Sequence, residues 1–75
     1  MNLEAIAKAY TRSIELQEHA DLEAPALSEE ASVLRADLHA LWMEALRQAG
    51  IPFSDRFDAA RIAHDIAQGK ITITP

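Results

Sequence analysis

The chain has 75 residues, no cysteine and a formal net charge of −5, and 49% of its residues are hydrophobic. A chain of this length supports one domain with a marginal core, and without cysteine it has neither disulfides nor thiolate metal sites to reinforce that core, which fits a reducing compartment. The acidic balance works against phosphate binding, which depends on clustered Lys and Arg, and the longest apolar run, Ala40 to Met43, is far short of the roughly 20 residues of a membrane helix.

The first predicted element is a helix over about 3–22. Asn2 is placed to cap it, and Leu3, Ile6, Ala7, Tyr10 and Ile14 recur at helical spacing as one apolar stripe. Glu4, Lys8, Arg12, Glu15 and His19 fall on the opposite face, with Glu4 and Lys8 in the favourable i, i+4 order. Pro25 stops this helix, because the residue before a proline is pushed out of the α region.

A second helix is predicted over about 29–49, with Ser28 as its cap and Glu29 and Glu30 in the first turn, where the helix dipole favours negative charge. Leu34, Leu38, Leu41 and Ala45 read as its main buried face, flanked by Ala31, Trp42 and Ala49, with Arg35, His39 and Leu46 on one shoulder. Gly50 ends it as a left-handed residue, with Ile51 as the following hydrophobic position and Pro52 preventing continuation. A third helix follows over about 55–68, capped by Ser54 and closed by Gly69, with Ala59, Ile62, Ala63 and Ile66 facing inward. Phe57, Ala60 and His64 lie on a different face of it, and Phe53 precedes its cap.

The chain ends in "GKITITP", where Ile71, Thr72, Ile73 and Thr74 alternate at strand period over about 71–74. No second strand is predicted to pair with it. Three outcomes stay open: an extension packed on the helices, a ribbon with a second copy, or addition to another protein's sheet edge. The expected fold is all-α, a three-helix bundle made of a helical hairpin plus a third helix, with this short C-terminal β extension.

Little in the sequence points to chemistry. His19, His39 and His64 lie one per helix without a metal-ligand spacing, and the serines at 28 and 54 are better explained as caps than as nucleophiles. With only Gly50 and Gly69 there is no phosphate-cradling loop. No catalytic, cofactor-binding or metal residue is assigned, and the chain is expected to be no enzyme. The segment 41–68 has the helix, turn and helix order of a DNA-binding helix-turn-helix, but Asp55, Asp58 and Asp65 sit among Arg56 and Arg61 in the would-be recognition helix.

The acidic residues are unevenly placed. Between Ser13 and Leu34 lie Glu15, Glu18, Asp21, Glu23, Glu29 and Glu30 with no Lys or Arg. A solvated hairpin end accounts for them; the functional alternative is an acidic patch that docks on a basic protein, as an inhibitor of a nucleic-acid-binding protein does. Together these features predict a cytoplasmic, non-enzymatic protein-binding or regulatory module acting as a homodimer. Its expected contact surface is Trp42, Met43, Leu46, Phe53 and Phe57, with Ile71, Thr72, Ile73 and Thr74 of the strand. The first residues lack the basic-then-apolar pattern of a secretory leader, and neither nucleic acid nor membrane is an expected partner.

Overall fold

The computed structural model describes residues 2–71 as three α-helices: α1 over Leu3–Glu23, α2 over Ser28–Gln48 and α3 over Arg56–Ala67, with a 3₁₀ turn over Pro25–Leu27. Each boundary has a local cause. The Asn2 side chain accepts from the Ala5 amide at 3.1 Å and opens α1, and Glu4 pairs with Lys8 at 2.9 Å along its exposed side. At the end of α2, Gly50 has φ +73°, and the Ile51 amide reaches back to the Leu46 carbonyl at 3.0 Å while Gly50 bonds to Arg47 at 3.1 Å. That is the Schellman closure expected there. Gly69 (φ +77°) repeats it at the end of α3, where the Lys70 amide bonds to the Asp65 carbonyl at 2.8 Å.

Two expected caps are corrected. Ser28 already has helical angles, because the 3₁₀ turn runs straight into α2 and the Ser28 amide bonds to the Pro25 carbonyl. Its hydroxyl donates instead to Asp21 at 2.5 Å, tying the hairpin end together. At α3 the N-cap is Asp55, whose carboxylate accepts from the Asp58 amide at 2.8 Å. The Asp58 carboxylate in turn accepts from the Ser54 amide at 3.0 Å, so the pair satisfies two donors reciprocally. A carboxylate accepts an amide proton more strongly than the Ser54 hydroxyl would, which accounts for the one-residue shift. The backbone bond from Ser54 and the ion pair with Arg61 hold the Asp58 carboxyl below its ordinary pKa.

α1 and α2 form the hairpin, and α3 lies across one half of it. At 1.5 Å per residue the two long helices run roughly 30 Å each and α3 only about 18 Å, within an envelope of 39 × 21 × 21 Å. The core is therefore lopsided. Its buried members are Ala7 and Tyr10 from α1, Trp42, Ala45 and Leu46 from α2, and Ala59, Ile62, Ala63 and Ile66 from α3. Leu3, Ile6, Ile14, Leu38, Met43, Ile51 and Phe53 pack around them. The stripes expected on α1 and α3 are the ones buried, and the alanines let α3 approach closely enough for the Trp42 indole to donate to the Ala59 carbonyl at 2.7 Å.

The buried face of α2 differs from the expected one. Ala45 and Leu38 pack inward as expected, but Leu34 and Leu41 stay 46% and 45% exposed, while Trp42 and Leu46 are fully buried. At 100° per residue this turns the buried face by roughly 70° toward the Trp42 and Leu46 shoulder. The reason is area: Trp42 and Leu46 together carry more apolar surface than Leu34 and Leu41, and they lie where α3 can cover them. Among the described residues there is no strand. Ile71 is part of a bend, and Thr72, Ile73 and Thr74 of the expected β extension lie outside the described residues.

Candidate functional site

The turn of α2 removes two residues from the expected contact surface: Trp42 and Leu46 belong to the chain's own core. Met43 and Phe53 are half-buried against that core, and the Arg47 guanidinium lies 5.7 Å from the Phe53 ring centroid. Phe57 alone of these five is open to solvent, at 70%. Of the expected acidic patch, Glu15, Glu18, Asp21, Glu23, Glu29 and Glu30 are all exposed; His19 approaches Glu23 at 3.4 Å, and Asp21 accepts from Ser28. The three histidines do not converge. His19 and His64 are exposed, whereas His39 is half-buried, and no group of three metal-ligating side chains gathers among the described residues.

Two surfaces emerge that spacing alone did not single out. The first is an apolar stripe left uncovered by the fold. Leu27, Leu34 and Leu41 follow one another at intervals of seven, which places them on one line along α2 and the turn before it. They are 53%, 46% and 45% exposed. Three residues beyond each leucine stands an exposed acid, Glu30, Asp37 and Glu44, so the leucine line has a carboxylate border on one side. Glu44 shares its charge with Arg47 at 3.3 Å. The signal was present in the sequence, since Leu34 and Leu41 stood out there, but as core residues.

The second surface is a cleft of about 590 Å³ where the flank of α2 meets the start of α3, lined by Tyr10, Arg35, His39, Met43, Arg56 and Phe57 with small residues between them. The Tyr10 hydroxyl and the His39 Nδ1 lie 2.6 Å apart, and the two rings meet edge to face with centroids 5.1 Å apart. Burial raises the Tyr10 phenol above its ordinary pKa despite the opposing charge of Arg35. Burial lowers the His39 imidazole, and the positive charges of Arg35 and then Arg56 lower it further. The Tyr10 hydroxyl and the His39 Nδ1 share one hydrogen bond, and the His39 Nε2 is buried without a partner.

Because the folded His39 holds its proton less tightly than the unfolded one, the unfolded state binds more protons below about 6.5. The stability that neutral His39 supplies is present above that pH and is lost as the pH falls through the lower, folded pKa. Urea midpoints measured from pH 7.5 down to about 5 are expected to fall more steeply for the parent than for His39→Asn. Parallel slopes would show that His39 does not titrate as placed.

Comparison with protein-family models, with curated proteins and with solved structures returns no match. No helix among the described residues is long and apolar enough to cross a membrane.

Proposed function

We propose that this protein is a non-enzymatic binding module whose leucine line, Leu27, Leu34 and Leu41, takes a basic amphipathic helix of a partner protein. The observation that carries the reading is the pairing of that half-exposed line with the acidic border Glu30, Asp37 and Glu44. An apolar stripe at seven-residue spacing suits another helix laid along it, and a carboxylate border selects Lys and Arg beside the partner's apolar face. Much of the hairpin's acidic tract lies at the same end of the molecule and steers a basic partner toward it.

A second copy of the chain suits this surface less well. In the antiparallel two-fold pairing of α2 with α2, the leucines stack, but each acidic border faces its own copy, and like charges in register oppose the contact. Charge therefore favours a heterologous partner over that antiparallel dimer, in line with the inhibitor-like reading of the acidic tract. The helix-turn-helix reading draws no support from α3, where Arg61 is held by Asp58 at 2.8 Å and by Asp65 at 3.0 Å.

The test uses a labelled synthetic helical peptide with leucines on one face and lysines flanking them, followed by fluorescence anisotropy. Binding is expected for this peptide and not for its glutamate counterpart. The Leu34→Ser/Leu41→Ser variant, which keeps the net charge, is expected to bind on the order of tenfold or more weakly. Equal binding by parent and variant would reduce the contact to nonspecific charge attraction and overturn the reading. Concentration-dependent self-association that the lysine peptide fails to disrupt would make the second copy the occupant.

A further inference from the structure

We infer that the cleft between α2 and α3 is a binding site for a small organic carboxylate with an apolar, aromatic or aliphatic body. The inference is independent of the leucine line and stands on the cleft's charge, shape and donors.

The charge is opposite in sign to that of the chain. In a protein with net charge −5, the side chains lining the cleft include two arginines and a histidine and no Asp or Glu. Three of the five Lys and Arg cations outside the cleft are neutralised locally, Lys8 by Glu4, Arg47 by Glu44, and Arg61 by Asp58 and Asp65, whereas among the described residues Arg12 and Lys70 stand singly on the surface and share no cleft. Among the described residues neither Arg35 nor Arg56 has a carboxylate within ion-pair distance. Arg35 donates to Gln17 at 2.8 Å and also interacts with the Tyr10 hydroxyl, which steadies the side chain and leaves part of its set of five donors for a ligand. The Arg56 guanidinium lies 5.0 Å from the Phe57 ring centroid, stacked on an exposed aromatic at the mouth of the cleft.

The lining also fits the rest of such a molecule. Ala36, Ala40, Met43 and Ala60 add apolar lining beside the cations, and Phe57 adds an aromatic surface. A volume of about 590 Å³ falls in the range of small-molecule sites, which combine an apolar lining with a few placed polar groups. Planar guanidinium groups match the planar fork of a carboxylate, and the apolar share of the lining, from Ala36, Ala40, Met43, Ala60 and Phe57, favours one charge on an apolar body over a bare phosphate ion. The Ser32 hydroxyl and the partnerless Nε2 of His39 add polar capacity at the same lining.

The experiment is a titration of the ¹⁵N-labelled protein by NMR with naphthoate, with neutral naphthalenemethanol and with inorganic phosphate. Naphthoate is expected to shift the amides of residues 35–43 and 56–60, and the alcohol and phosphate to bind at least about tenfold more weakly. Arg35→Gln and Arg56→Gln are each expected to weaken naphthoate by about tenfold or more, as loss of a charge-assisted hydrogen bond implies. Equal affinity for the alcohol would make the cleft a plain apolar groove. Equal affinity for phosphate would make it a bare anion site. Unchanged naphthoate affinity in Arg56→Gln would also overturn the assignment, and that variant decides the matter if Arg35→Gln disturbs the hairpin through its Gln17 contact.

Discussion

Trp42→Ala is expected to lose about 3–5 kcal/mol of folding stability. The indole is fully buried in the core to which all three helices contribute, and its Nε1–H donates to the Ala59 carbonyl at 2.7 Å. Four of the nine buried core residues are alanines, so little side chain is at hand to fill the cavity left behind. A domain of this size holds roughly 4–11 kcal/mol in all, at about 0.05–0.15 kcal/mol per residue. The substitution therefore removes a large share of the total, and at the lower end of that range the variant is partly unfolded before any urea is added. Trp42→Phe keeps most of the ring volume and loses the hydrogen bond, and should fall between the two. Urea unfolding followed by far-ultraviolet circular dichroism reads all three proteins, since the chain's one tryptophan is lost in both variants. A loss below about 1 kcal/mol for Trp42→Ala would place the indole outside the core.

Leu46→Ala is expected to cost about 2–5 kcal/mol, against about 1 kcal/mol or less for Leu34→Ala or Leu41→Ala. All three are leucines in the same helix, so intrinsic helix propensity cancels and the difference reports burial alone. Leu46 is fully enclosed and its carbonyl also anchors the Schellman closure at Ile51, whereas Leu34 and Leu41 already keep close to half their surface in water. Parallel urea curves for the three variants decide it. If Leu34→Ala proved as costly as Leu46→Ala, the buried face of α2 would be the one suggested by spacing, and no leucine line would be free for a partner.

That contrast marks the boundary between what was legible in the chain and what was not. Helix signals that act within a turn were readable. Gly50 and Gly69 end their helices because left-handed backbone there is cheap only for glycine, Pro25 ends α1, and the apolar period of α1 and α3 names the faces they bury. Misreadings began where two local options compete. Ser28 and Ser54 are good caps by type, but the 3₁₀ turn made Ser28 helical, and Asp55 with Asp58 offered a stronger reciprocal pair one residue on.

The same holds for the sites. Arg35 and His39 were visible only as a shoulder of α2, and Arg56 only as one of two arginines set among the aspartates of the third helix, because nothing in their spacing says that Tyr10 and the start of α3 arrive beside them.

By itself, then, the order of residues determined the all-α class, the number of helices and most of their ends, since caps, breakers and period are short-range effects decided by a residue and its neighbours along the chain. The tertiary structure decided which of two adjacent apolar stripes on α2 is buried, which cations are left without a carboxylate, and where a cleft opens. Those outcomes depend on which residues from distant segments are close enough to cover, crowd or neutralise one another, and the half-length of α3 leaves one end of the hairpin with apolar surface that the chain does not cover.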